Sequence, residues 1–239
     1  MKIAIISDVH ANFEALTACL KKIEELKADK IICLGDLVDY CAEPNECIGL
    51  IQKNCDVVVM GNHDEAQINH NRVEGFSNDA KISSIHTRSV IRAEYVEYFR
   101  AFPIRYMQEN LMFVHASPHI PEIYSYILTA EAAELNFKSF DEEICFIGHS
   151  HKPVIFKETN SGVELVTQEY IDKEHRFIIN VGSVGQPRDG DPRLSFGLFD
   201  VNSWKYTNIR VEYDTVKASN KIKNEGLPPY LAERIIYGV

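Results

Sequence analysis

Five short segments of this chain each set a hard metal ligand beside a turn residue, and most follow directly on an apolar run. They are Asp8-Val9-His10, Gly35-Asp36, Gly61-Asn62-His63-Asp64, Val114-His115-Ala116 and Gly148-His149-Ser150-His151. The runs before them, such as residues 2–7, 30–34, 56–60, 111–115 and 144–147, read as buried strands. Between the first three lie helical spacings, with Phe13, Leu16, Leu20, Ile23 and Leu26 on one face. A second helix starts near Pro44 and continues through Cys47, Ile48 and Ile51. This β-α-β-α-β order with short links predicts parallel strands joined by helical crossovers. Ligands at strand ends then gather at one sheet edge, where open α/β sheets keep their sites.

The rest of the chain changes character twice. Residues 65–105 read as a helical excursion able to cap a site, with helix-like stretches around 78–100. The segment 116–128 reads as a loop beside the site, carrying Pro118, Pro121, Tyr124 and Tyr126. A helix is expected at about 129–138. Beyond His151, short strands are expected at 153–158, 163–167, 176–181, 194–201 and 204–212, with Asn160-Ser161-Gly162 as a turn. The tail from about 213 reads as helical and surface-bound, with Tyr230, Leu231, Ile235 and Ile236 as a contact face. No repeat or linker divides residues 1–239, so a single domain with two packed sheets is expected.

Charge and composition narrow the function. The net charge of −10, from 25 basic and 35 acidic residues, argues against a duplex nucleic-acid binder. It leaves a small phosphorylated substrate open, because bound cations dominate their local field. No apolar run reaches the roughly 20 residues of a membrane helix. The N-terminal apolar stretch is too short for a signal peptide and reads as the first strand of a cytoplasmic protein. None of the six cysteines forms a C-x-x-C pair, so they read as reduced core thiols.

Each ligand segment suggests its own chemistry. Asp8 and His10 straddle one residue, so in an extended chain both reach one ion. Asp36 presents two oxygens and can bridge two cations, which an imidazole cannot. Asn62 adds a neutral oxygen. His63 is poised as an acid over substrate, with Asp64 expected to orient its ring. His149 and His151 can serve neighbouring ions across the turn at Gly148. His70, His86, His119 and His175 lack this context and read as solvated, His119 being the strongest exception. Two divalent ions sharing a carboxylate suit phosphoester hydrolysis.

In combination these motifs closely resemble the calcineurin-like metallophosphoesterases, and more narrowly their small prokaryotic phosphodiesterase branch. The opening Ser7-Asp8-Val9-His10-Ala11-Asn12 and the stretch Asn180–Arg188 support the resemblance, which covers roughly residues 1 to 200. It implies an α/β fold, a four-layer α-β-β-α sandwich of two mixed sheets flanked by helices. It also implies two divalent metal ions, with Asp8, His10, Asp36 and His151 on one and Asp36, Asn62, His115 and His149 on the other. Mixed oxygen and nitrogen ligands suit Mn²⁺, Fe, Zn²⁺, Ni²⁺ or Co²⁺ better than Ca²⁺. The implied reaction is hydrolysis of a phosphodiester or phosphomonoester by a metal-activated hydroxide, with His63 as the acid.

One departure stands out. Family members acting on phosphoproteins read Gly-Asp-x-x-Asp-Arg-Gly, and some dinucleoside tetraphosphatases are close variants. Here Tyr40 stands where that phosphate-gripping Arg would be. Arg188, in a turn-rich loop, is the candidate replacement; the alternative is a loop Arg paired with Asp189 or Asp191. Asn12 is a candidate substrate contact or a helix cap. A non-catalytic metal-binding scaffold of the same fold is the alternative function, and a dinucleoside polyphosphate or phosphoprotein phosphatase another.

Overall fold

Alternation along the first strand sets the layering of the molecule. The structure, a computed structural model, describes residues 1–167 and 171–239. In β1 (Lys2–Ile6), Ile3 and Ile5 join the core between the sheets, while Ala4 and Ile6 join the core on the opposite face. Side chains of period two make this unavoidable. α1 (Phe13–Leu26) and α2 (Pro44–Asn54) cover that outer face with Leu16, Cys19, Ile48 and Ile51.

β1 pairs in parallel with β2 (Lys30–Cys33), and β2 with the short β3 (Val57–Val58). Only these two residues of the expected 56–60 strand pair in the sheet, although Val59 still donates to Cys33 O at 3.0 Å. Three helices follow. α3 (Asn62–Ile68) starts on the Gly-Asn-His-Asp segment, and α4 (Asn78–Val90) and α5 (Ala93–Phe99) come after it. Ile91 is extended, which splits the expected 78–100 helix in two.

The second sheet begins with β4 (Arg105–Gln108), an edge strand missing from the sequence reading. Its four residues alternate between exposed and half-buried, too weak a signal beside helical neighbours. β5 (Leu111–Val114), α6 (Ala130–Phe137) and β6 (Ile144–Ile147) follow, then β7 (Val154–Thr159), β8 (Gly162–Val166) and β9 (Phe177–Asn180). β5, β6 and β9 run parallel, whereas β7 is antiparallel to both β8 and β9. β10 (Leu194–Asp200) and β11 (Lys205–Val211) return to the first sheet, on its β1 edge.

Both sheets are therefore mixed, and they pack face to face. Ile3, Ile5, Ile32 and Leu34 meet Phe113, Ile144, Phe146 and Ile179 between them. α6 covers the far side through Ala133 and Phe137. The result is the α/β sandwich with helices outside.

The C-terminal segment is not surface-bound. α7 (Thr215–Asn224) and α8 (Pro229–Tyr237) bury Ala218, Ile222, Leu231, Ala232 and Ile235 against Ala11, Tyr40, Cys41 and Ala80. Leu231 and Ile235 thus belong to the core and not to an outer contact face, and α8 stands next to the loops that end β1 and β2.

Candidate metal centre and cleft

The ends of β1, β2, β5 and β6 lie side by side, and the loops leaving them meet. Asp8 N donates to Gly35 O at 3.0 Å, His10 N to Asp36 O at 3.0 Å, and Gly148 N to His115 O at 2.8 Å. These bonds lock the exits to one another. Five candidate ligands, Asp8, His10, Asp36, His149 and His151, have positive φ between 48° and 64°. Such conformations cost roughly 1–2 kcal/mol for a non-glycine residue, so the surrounding bonds must hold them. Two glycines make room for the packing. A Cβ at Gly61 would strike Asp36, and one at Gly148 would strike Ser7 and Asp8.

The side chains form two groups. Asp8, His10 and His151 present ligand atoms all within 4.8 Å of one another, as do Asp36, His115 and His149. Asp36 lies between them. Its Oδ1 accepts from His63 N at 2.9 Å, leaving Oδ2 3.7 Å from His10 Nε2 and 3.2 Å from His115 Nε2. Asn62 Oδ1 is 3.2 Å from His115 Nε2. All seven sequence candidates thus meet in one cluster.

Ring orientation is set from behind. Nδ1 of His10, His115 and His151 faces the carbonyls of Val38, Leu34 and Gln186 at 2.9, 2.8 and 2.6 Å. A carbonyl only accepts, so each Nδ1 carries the hydrogen and each Nε2 turns inward. His10 Nε2 and His151 Nε2 then lie 3.1 Å apart, lone pair toward lone pair. Asp8 Oδ1 is buried with no hydrogen-bond partner.

Electrostatics follow this geometry. Burial, then the neighbouring imidazole His151, hold His10 well below the usual histidine range; burial and Arg188 do the same to His151. Burial and His115 push His149 down to about 3. Burial opposes protonation of His115 too, but Asp36 and Asp8 outweigh it and push it up to about 9. Three converging imidazoles held neutral, a fourth set against Asp36, and an orphaned carboxylate oxygen are a donor set that a pair of divalent cations fits.

The expected partner of His63 is corrected. His63 Nδ1 lies 2.7 Å from Asp39 Oδ2, and not against Asp64. Asp64 instead accepts from the main-chain N–H of Asp36 and Leu37, both at 2.8 Å, and so braces the turn that carries Asp36. A helical start at Asn62 directs Asp64 to that turn while His63 faces the cleft. Of its two expected roles Asn12 takes the cap. Its Oδ1 caps α1 through Ala15 N at 3.1 Å, and its Nδ2 donates to Gly185 O at 2.8 Å and to Tyr213 Oη at 3.3 Å, so both ends are engaged away from substrate.

Arg188 does stand at the site. Its N–H donates to His151 O at 3.2 Å, its side chain donates to Gln186 Oε1, and its guanidinium carbon lies 5.6 Å from the Tyr40 ring centre. Asp189 and Asp191 pair with Arg210 and Arg193 instead. His119 serves the loop, with Nδ1 2.9 Å from Ser139 Oγ. The stretch 180–186 is scaffold: Asn180 Nδ2 donates to Gly148 O at 2.6 Å and Ser183 Oγ to Asp8 O at 2.9 Å.

Beside the ligands opens a cleft of about 480 Å³. Asn62, His63, His149 and Arg188 line it with the rings Tyr40, Phe76, Tyr124 and Tyr126. Tyr126 stacks on His149 with centroids 4.1 Å apart. Two residues escaped the sequence reading. Asp39 was legible as a second carboxylate three residues past Asp36. Arg234 on α8 had no local signal and enters only through the fold.

Comparison with known proteins agrees with this architecture. The profile of the calcineurin-like phosphoesterase superfamily domain matches residues 1–203. The chain is 38% identical over 242 residues to the uncharacterized protein MJ0912 of Methanocaldococcus jannaschii, covering 99% of this chain and 98% of that one. The crystal structure of a metallophosphoesterase from Sphaerobacter thermophilus superposes with a TM-score of 0.89 at 38% identity, covering 100% of this chain and 99% of the other. That of the hypothetical protein PH1004 from Pyrococcus horikoshii gives 0.82 at 23% identity over 100% and 98%, a likeness of fold. The chain belongs to the calcineurin-like phosphoesterase superfamily.

Proposed function

We propose that this protein is a dinuclear-metal hydrolase of phosphodiesters or phosphomonoesters of small molecules, acting in the cytoplasm. The observation that carries this reading is Asp36 Oδ2, which lies between two groups of inward-facing donors with His63 beside them. Asp8, His10, Asp36 and His151 would hold one ion, and Asp36, Asn62, His115 and His149 the other. Mn²⁺, Fe, Zn²⁺, Ni²⁺ and Co²⁺ all suit these donors. Bound there, such ions would supply the acidity that activates water and the positive charge that offsets the phosphoryl oxygens.

The protein's own groups complete the reaction. Asp39 fixes the His63 ring by accepting its Nδ1–H, which leaves Nε2 for the substrate. Burial opposes a charge on His63, but Asp36 and Asp39 outweigh it and raise its pKa. As the water oxygen bonds to phosphorus and the ester P–O bond breaks, His63 gives its proton to the departing oxygen. Arg188 grips a non-bridging phosphoryl oxygen in place of the family Arg that Tyr40 displaces. The ring-lined cleft takes the organic part.

The test is a hydrolysis screen, with Mn²⁺, Fe²⁺, Zn²⁺, Ni²⁺ or Co²⁺ added in turn, on an aryl phosphomonoester, an aryl phosphodiester, cyclic nucleotides and dinucleoside polyphosphates. Metal-dependent turnover that vanishes in Asp36→Asn supports the reading. No turnover of any ester with any of the five metals overturns it and favours a scaffold.

A further inference from the structure

The chain carries 35 acidic against 25 basic residues, yet its cleft is lined by the reverse. Among the described residues, and apart from the histidines, the charged side chains on its wall are Arg72, Arg188 and Arg234, with no Asp or Glu beside them. Arg72 is held by Glu65 at 2.9 Å. Among the described residues, no Asp or Glu pairs with Arg188 or Arg234. The acids nearest Arg188 in sequence are taken by Arg193 and Arg210.

The fold brings these two arginines together on purpose-built contacts. α8 ends on Gly238 at φ 70°, whose carbonyl accepts from Gly190 N at 2.8 Å, two residues past Arg188. A Cβ at Gly238 would run into Asp191, so the helix end is pressed onto that loop. Arg234 uses Nε on Val239 O at 2.6 Å, and its guanidinium carbon sits 5.3 Å from the Tyr230 ring centre. Its terminal nitrogens make no hydrogen bond among the described residues. Burial and the charge of Arg188 both depress the Arg234 pKa, as expected of two cations facing one space. Holding like charges together in a partly buried cleft is unfavourable until an anion enters.

One phosphate cannot account for all of this. The metal centre and Arg188 serve the scissile group and the ring-lined cleft takes the organic part, which leaves Arg234, on the same wall, still to be explained. We propose that the substrate is a phosphoester whose organic part carries a second phosphate, and that Arg234 on α8, next to Arg188, binds that second phosphate. A guanidinium fork matches two phosphate oxygens at once. This deepens the proposed hydrolase function and rests on it.

The probes are adenosine 3′,5′-bisphosphate and adenosine 5′-monophosphate, titrated calorimetrically into Mn²⁺-loaded protein. A His63→Asn background slows turnover during the titration. The bisphosphate should bind at least tenfold more tightly than the monophosphate. Arg234→Ala should remove most of that preference, weakening the bisphosphate far more than the monophosphate, and Arg234→Lys should fall between. Arg234→Lys also decides the matter if truncation loosens α8. Equal affinity for the two nucleotides, or an equal loss of both on changing Arg234, overturns the proposal. Because the readout is binding, it stays separate from the hydrolysis screen. Mn²⁺-dependent turnover without a bisphosphate preference sinks only this inference, whereas a preference without turnover overturns the hydrolase reading and, with it, the claim that the bisphosphate is a substrate.

Discussion

His63 and Asp39 form a closed pair 2.7 Å apart, and the pair is anchored from the helical segment that roofs the cleft. Asp39 Oδ1 accepts from Gln67 Nε2 at 3.2 Å, and Gln67 Nε2 lies 2.9 Å from Ser84 Oγ on α4. The carboxylate holds the imidazole tautomer by accepting from Nδ1, and the ring lines the cleft.

Removing that acid should cost rate and spare metal. His63→Asn is expected to lower kcat roughly 100- to 1,000-fold on an alkyl phosphoester, within the usual range for general acid catalysis. A p-nitrophenyl ester needs little help from an acid and should suffer less. Asp39→Asn should cost about tenfold or more in kcat with the same leaving-group dependence. Steady-state kinetics on the two esters, with metal content measured in parallel, check this. A loss equal for both leaving groups would contradict the assignment.

Gly61→Ala should disarm the site without replacing a ligand. The added methyl strikes Asp36, and relief means moving the Asp36 carboxylate or the start of α3. We expect a destabilisation of about 1–3 kcal/mol, typical of overpacking, together with weaker metal binding. Urea unfolding and a metal titration give both numbers, and an unchanged metal affinity would show that Asp36 tolerates displacement.

Stripping metal should soften the whole fold. Several buried donors point at one another, with His10 Nε2 and His151 Nε2 only 3.1 Å apart. Ligand linkage predicts a stabilisation of about 2.7 kcal/mol at a free metal concentration of 100 Kd. Chelator should therefore lower Tm by several degrees, and added Mn²⁺ should restore it. A Tm indifferent to chelator would mean the cluster is content without ions.

The C-terminal helices should behave as core. Ile235 is fully buried, and Ile235→Ala should cost about 2–5 kcal/mol by chemical denaturation, as expected for truncating a buried aliphatic side chain. A surface-bound α8 would lose less than about 0.5 kcal/mol.

Strand ends were the legible part. Buried strands such as Ile144–Ile147 announce themselves as apolar runs, and a ligand after a run marks the sheet edge, so the cluster could be drawn from five segments alone. The edge strand Arg105–Gln108 could not, because half its residues are exposed and its two apolar residues, Tyr106 and Met107, stand side by side without alternation. Local spacing also misled. Asp64 adjoins His63 in sequence, but the helix beginning at Asn62 turns it toward Asp36 and Leu37, while Asp39 arrives from the turn after β2. Arg234 lies 46 residues beyond Arg188, on an amphipathic helix whose apolar face reads as surface or core equally well. Its place in the cleft depends on Gly238 meeting Gly190, a contact between distant main-chain atoms that no residue pattern encodes.

The sharpest test is a count of ions. After Mn²⁺ loading and desalting, elemental analysis of the native protein should give two metal equivalents per chain, and Asp36→Asn, with the shared carboxylate neutralised, should retain at most one and hydrolyse no ester. A native stoichiometry of one or none, or an Asp36→Asn protein that keeps both ions and its turnover, would contradict the account.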